Sequence, residues 1–130
     1  MKRTILILLI IFAAGPIFLY STVWSVLIPP AREAIAGIRP VADKTDYWQQ
    51  GWETRQRGAG DCEDFAILIG ERYEQDGIGF RMAVIDMGNG PHMVLLTGGY
   101  YIDSIRPKLI PIKKYPAIKI YTWKEVRSIL

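Results

Sequence analysis

The sequence predicts an α+β fold: a long apolar N-terminal helix, then a small domain in which one helix packs on an antiparallel sheet. Three observations predict it. Residues 5–28, from Ile5 to Ile28, carry no charged side chain. A helix opens at Asp61, with apolar positions Phe65, Ala66, Ile69 and Tyr73 spaced three or four apart along one face. The runs His92 to Thr97 and Tyr100 to Ile105 are separated only by Gly98-Gly99, a strong two-residue hairpin signal.

About 20 apolar residues span a bilayer as a helix, so residues 5–28 are expected to be a transmembrane anchor. Lys2 and Arg3 precede the run, and the positive-inside bias then leaves residues 1–4 in the cytoplasm and the rest of the chain outside it. A cleaved signal peptide is the rival, with Ala13-Ala14-Gly15 as the small-residue region. Pro16 follows directly and the apolar run continues to Ile28, both of which favour an uncleaved signal-anchor. The expectation is a single-pass protein of the inner (plasma) membrane, with its domain periplasmic or extracytoplasmic and the lipid bilayer contacted through residues 5–28.

Pro29-Pro30 should end that span, and residues 29–42 read as a stalk. Residues 43–130 then form one domain, enough for one modest core. Trp48 and Trp52, four apart, suggest an aromatic stripe on a helix that packs against the Cys62 helix. Gln75-Asp76-Gly77 is a stop signal, residues 79–87 read as a strand, and Gly88-Asn89-Gly90 as a turn into the hairpin. Three prolines between residues 107 and 118 demote that stretch to an extended edge. Thr122-Trp123-Lys124-Glu125 is a capping box that opens a last short helix.

The net charge of +3 is unevenly placed, with 7 basic and 12 acidic side chains in residues 31–105 against 7 basic and 1 acidic in residues 106–130. No nucleic-acid partner is expected. A single cysteine excludes an intramolecular disulfide and a multi-cysteine zinc site.

That cysteine carries the functional reading. Asp61 is a good N-cap, so Cys62 falls in the first helical turn, where unpaired N–H groups favour a thiolate and should lower the thiol pKa. His92, the only histidine, opens one strand and Asp103 lies in the next. A Cys, a His and an Asp on successive elements are a thiol nucleophile, its base and the base's orienter. The backbone N–H of Cys62 is a natural oxyanion donor, and a second donor is sought among Gln49, Gln50, Gln56, Trp48 and Trp52.

Gly60-Asp61-Cys62-Glu63-Asp64-Phe65-Ala66, then His92-Met93-Val94-Leu95, then Ile102-Asp103, with Trp48, Trp52 and Glu53 ahead of them, resemble the bacterial transglutaminase-like cysteine peptidases. That family includes periplasmic proteases that clip biofilm adhesins. Ser104 departs from the pattern by standing where an asparagine would follow the aspartate. The resemblance implies a transglutaminase-like (papain-like) domain, a thiol protease that cleaves protein or peptide amide bonds, and catalytic Cys62, His92 and Asp103. Some adhesin-cleaving members bind calcium near the cysteine block, which makes Asp61 and Glu63 the metal candidates; the chemistry itself requires no cofactor. Helix-start electrostatics explain the same acidic cluster, and Asp64 has an arginine pairing as its alternative.

Three rivals share parts of this pattern. A cell-wall amidase would carry Asp-Cys-Ser-Gly, which is absent here. An acyl-transferring transglutaminase would share the triad, and a non-catalytic membrane-anchored binding module would have lost it. Geometry supplies the sharpest expectation. With Gly98-Gly99 as the hairpin loop, Val94 faces Asp103, and His92, Val94, Tyr101 and Asp103 project from one side of the sheet. That side is the one expected to lie under the Cys62 helix.

Overall fold

The computed structural model describes the backbone of residues 2–42 and 45–130, and side chains from Leu19 onward within those ranges. The elements are α1 (Lys2–Ile35), β1 (Arg39–Pro40), α2 (Gly51–Arg57), β2 (Ala59–Gly60), α3 (Cys62–Gln75), β3 (Arg81–Asp86), β4 (Pro91–Thr97), β5 (Tyr100–Asp103), β6 (Leu109–Pro111), a 3-10 turn (Ile112–Lys114), β7 (Lys119–Tyr121) and α4 (Trp123–Ile129). Five strands form one sheet in the order β6-β5-β4-β3-β7, every neighbour antiparallel, while β1 and β2 make a separate parallel pair.

The α3 helix lies at the centre because its middle, Phe65 to Gly70, carries no polar side chain. Phe65, Ala66, Ile67, Leu68, Ile69 and Tyr73 are all buried, as a helix without a wide polar face must be. One side meets Met82, Met93, Leu95 and Ile102 of the sheet, and another meets Leu27, Ile28, Ala31 and Ile35 of α1. The Tyr73 hydroxyl donates to the Leu27 carbonyl at 2.7 Å, so the buried phenol keeps a partner. On the opposite face of the sheet, Ala83, Ile85, Val94, Tyr101 and Ile110 form a second cluster beneath Tyr115 and Ala117.

Two N-terminal expectations are corrected. Pro29-Pro30 do not end the first helix, which continues to Ile35. Those prolines deprive the Ser25 and Val26 carbonyls of their helical donors, but both residues are exposed, and burial of Leu27, Ile28, Ala31 and Ile35 in the domain core offsets the cost. Within residues 29–35, Ala31 and Ile35 sit in the domain core, while Arg32 and Glu33 are exposed.

The transmembrane anchor is also overturned, because among the described residues no helix is long and apolar enough to cross a membrane. Leu27 and Ile28, at the C-terminal end of the uncharged run, are apolar for a different reason: they pack in the core with α3, whereas Leu19, Tyr20, Trp24 and Val26 are exposed. The remainder of that segment, residues 5–18, lies outside the described side chains. With the anchor go the signal-anchor reading and the single-pass inner-membrane location.

Elsewhere the local signals act as their chemistry dictates. Gly98 and Gly99 both take positive φ, 60° and 80°, the pair a type I′ hairpin turn requires. The register follows, with Thr97 opposite Tyr100, Leu95 opposite Ile102 and Val94 opposite Asp103. Thr122 and Glu125 cap each other at the start of α4. The Trp48/Trp52 stripe is not helical: α2 begins only at Gly51, after the N-cap Gln50. Trp48 packs edge-on against Tyr121 at 5.4 Å, while Trp52 is 58% exposed.

Candidate active site

The site is assembled from the first turn of α3, the start of β4 and the end of β5. Asp61 caps α3 by accepting the Glu63 and Asp64 amides, and the Asp64 carboxylate returns the contact by accepting the Asp61 amide at 3.1 Å. Asp64 is fully buried and also accepts the Gln49 backbone amide at 2.8 Å and the Gln49 side-chain amide at 2.5 Å. Among the described residues it pairs with no arginine. Position 60 has to be glycine in this arrangement, since a Cβ there would lie 2.7 Å from the Asp64 Cβ. A tight Gly-Asp turn and a buried carboxylate thus fix where Cys62 starts.

Cys62 is half-buried, and its thiol donates to Glu63 Oε2 at 3.3 Å. Burial pushes this thiol up to about 12; the Met93 backbone amide pulls the other way, and the Glu63 and Asp61 carboxylates add to the rise. The lowered thiol expected from a helix N-terminus is therefore corrected. Desolvation and two neighbouring anions outweigh the unpaired amides. Asp61 is raised as well, to about 6, chiefly by burial and next by its hydrogen bond and repulsion with Glu63.

Across from this turn, His92 Nε2 lies 3.1 Å from Asp103 Oδ1. The same oxygen accepts the Ile105 and Arg106 amides at 3.0 and 3.2 Å. Burial opposes ionisation of Asp103, but the His92 hydrogen bond, then the Arg106 amide, the His92 charge and the Ile105 amide together hold the carboxyl below its ordinary value. With Nε2 turned to Asp103, Nδ1 is the ring nitrogen that remains to act on a neighbour.

Cys62 and His92 line one cleft of about 390 Å³, together with Pro40, Val41, Ala42, Asp61, Glu63 and Ile105. The structure thus brings together all the sequence-predicted site residues except the second oxyanion donors. Gln49 gives its amide to Asp64, Gln50 gives its own to the Leu130 carbonyl, and Trp52 gives its indole to Gln50. None of the five candidate donors lines the cleft.

The face expectation needs correction too. Val94 and Tyr101, whose side His92 and Asp103 share by strand alternation, belong to the cluster away from α3, whereas α3 covers Met93, Leu95 and Ile102. Cys62 meets the His92 region through the helix terminus, where the sulfur reaches the Met93 amide. Ser104 was not recognised as part of this machinery. It is fully buried and donates to the Met93 carbonyl at 2.7 Å, which ties the residue after His92 to the residue after Asp103. Its small hydroxyl directly after Asp103 was the available signal.

No family model matches the chain, and no curated protein matches it. Among solved structures it is similar to calcium-bound LapG of Legionella pneumophila, with a TM-score of 0.59 and 20% identity over 73% of this chain and 68% of that one. The fold is transglutaminase-like on that likeness. At this identity the likeness speaks to the fold alone.

Calcium can be tested against the donors in place. The ion takes six to eight oxygens. Here Asp61 Oδ1 is spent on two amides, Glu63 Oε2 receives the Cys62 thiol, and Asp64 is enclosed by Gln49 and the Asp61 amide. Among the described residues no group of three or more His, Cys, Asp or Glu side chains is placed to hold a metal. On their own Asp61 and Glu63 supply fewer oxygens than the ion takes.

Proposed function

We propose that this chain is a transglutaminase-like cysteine peptidase, hydrolysing a protein or peptide amide through Cys62, His92 and Asp103. The observation that supports the reading most is the shared cleft of Cys62 and His92, with Asp103 bonded to the far nitrogen of the imidazole.

In this mechanism the Cys62 sulfur attacks the amide carbonyl as His92 Nδ1 removes its proton, because a thiol raised to about 12 holds almost no thiolate beforehand. The Cys62 N–H, a first-turn amide without an intrahelical acceptor, faces the developing oxyanion. The imidazolium, stabilised by ionised Asp103, then protonates the leaving amine as the C–N bond breaks. Water attacks the resulting thioester with His92 as base, releasing the acid and restoring the thiol.

The deciding experiment is mass spectrometry after incubation with an electrophilic peptide. A thioether at Cys62 that forms in the unaltered chain and is strongly slowed in His92→Ala is the expected result. Equal labelling in the two chains would remove the mechanism.

A further inference from the structure

A second cleft, of about 420 Å³, lies against the first. It is bounded by Arg39, Arg57, Gln49, Gly60, Asp61 and Asp64, and it shares Val41, Ala42 and Asp61 with the cleft that holds Cys62. Its lining is graded by depth. Gln49, Gly60 and Asp64 are buried, whereas Arg39, Arg57, Val41 and Ala42 are exposed, so polar groups form the floor and two guanidinium side chains stand at the rim.

Two features of this cleft are unexplained by the fold. Gln49 is 2% exposed, and its Oε1 has no hydrogen-bond partner, the one such buried side-chain atom among the described residues. The Asp64 contact fixes the orientation of that amide: Nε2 must donate to the carboxylate, so the carbonyl end is left facing away from it. A buried acceptor without a donor is unfavourable, and an N–H arriving with a ligand would satisfy it. At the rim, neither Arg39 nor Arg57 has an acidic partner among the described residues. Asp61 and Asp64 on the floor bond backbone and Gln49 amides and form no ion pair with either arginine, which leaves the rim guanidinium groups as the cationic end of the cleft.

We propose that this cleft is a substrate subsite for an acidic residue flanking the scissile bond, with Gln49 Oε1 accepting a substrate N–H and Arg39 and Arg57 taking the carboxylate. The proposal rests on the peptidase reading for its direction along the substrate. The local chain supports it: β1 pairs with β2 through Arg39↔Ala59 and Pro40↔Gly60, which sets Arg39 beside the Gly60 turn that leads to Cys62. Arg57, at the last turn of α2, faces the same cleft from the other side. A peptide passing over Val41 and Ala42 would contact both clefts, since those residues line each.

The test separates binding from turnover. The full chain carrying Cys62→Ala is titrated by fluorescence anisotropy with labelled, end-blocked octapeptides that hold a single Asp, Glu, Asn or Gln at each position in turn. The expected result is tighter binding of the acidic peptide at one register, by roughly fivefold or more over its amide twin, a range suited to rim-exposed charge pairs. Arg39→Gln with Arg57→Gln should erase the difference, and Arg39→Lys with Arg57→Lys should restore part of it. Equal binding of acid and amide peptides, no binding of either, or a preference that survives the double glutamine variant would each overturn the subsite.

The same peptides are offered to the unaltered chain. Cleavage without charge preference overturns the subsite and leaves the peptidase reading standing. A charge preference in binding that is lost in the glutamine variant, with no cleavage of any peptide, upholds the anion site and overturns the peptidase reading instead.

Discussion

The start of α3 and the β4–β5 hairpin each deliver half of the candidate site, and they do it by different physics. In the hairpin, backbone geometry decides. Two glycines at positive φ fix the turn, the turn fixes the register, and the register sets His92 and Asp103 within 3.1 Å. At the helix start, electrostatics decide, and the outcome depends on depth and on neighbours that sequence spacing does not reveal. The lesson is that position can be inherited from topology, whereas reactivity has to be read from burial and charge.

The largest effect should come from breaking the link between the halves. His92→Ala is expected to slow Cys62 labelling by the electrophilic peptide about 10²–10⁴-fold, the usual worth of a positioned base. Asp103→Asn should slow it less and leave a pH profile altered on the acid side. A folded carboxyl held below its ordinary value contributes stability above the unfolded pKa and loses it as pH falls through the folded one, so the Asp103 contribution is lost only in acid. Measured rates that are equal for all three chains would show that the hairpin serves the fold alone.

The hairpin itself can be broken at its loop. Gly98→Ala and Gly99→Ala each place a Cβ on a residue at positive φ, which costs roughly 1–2 kcal/mol. Gly98 should be the worse of the two. A Cβ there would also meet Leu27 Cδ1 at 3.1 Å, whereas nothing lies within 4 Å of one at Gly99. Thermal melts of both variants check the order, and a larger loss at Gly99 would mean that α1 yields freely at Leu27.

Legibility in the sequence follows the same division. Gly98-Gly99, the Asp61 cap and the Thr122–Glu125 box are local devices whose partners are a few residues away, and they act in the structure as their spacing dictates. Residues whose meaning depends on distant partners were misread. The apolar stretch up to Ile28 looked like lipid-facing helix, but Leu27 and Ile28 are apolar because α3 covers them. Trp48 and Trp52 have helical spacing without a helix, since Gln50 and Glu53 cap α2 between them. The Cys62 thiol was expected to be low because helix position is visible in sequence, while its burial and the approach of Glu63 are not.

Charge at the helix start offers a smaller and more selective lever. Asp61→Asn keeps an N-cap acceptor and removes one anion beside Cys62; Glu63→Gln removes the one that touches the sulfur. Both should move Cys62 alkylation to lower pH, with Glu63→Gln the stronger, because Glu63 acts on the thiol through both charge and hydrogen bond. For stability the sign is set by Asp61, whose folded value of about 6 exceeds its ordinary 3.8. A raised folded pKa contributes stability at low pH that is lost as pH rises through about 6, so Asp61→Asn should melt higher than the parent above that pH. The gain should stay under about 1 kcal/mol, since Asp61 is only partly buried and solvent screens it. An alkylation profile unmoved by either exchange would locate the rise of the thiol in burial alone.

The smallest expected effect concerns calcium, and it tests the helix-start half of the comparison most directly. An ion bound by Asp61 and Glu63 would cancel the anionic charge that helps to hold the Cys62 thiol high, so binding would register twice, as a higher melting temperature and as alkylation at lower pH. The geometry in place supplies two neighbouring carboxylates, of which Asp61 Oδ1 already accepts two amides and Glu63 Oε2 already accepts the thiol hydrogen bond. Calcium in this position would have Asp61 Oδ2 and Glu63 Oε1 as its unengaged carboxylate oxygens, short of the six to eight it takes. The expectation is therefore that neither millimolar calcium nor a chelator changes the melting temperature or the alkylation profile. If calcium raises the first and shifts the second, the Asp61–Asp64 turn rearranges around the ion. Reactivity at Cys62 would then be set by metal occupancy, with the His92–Asp103 half of the site unchanged.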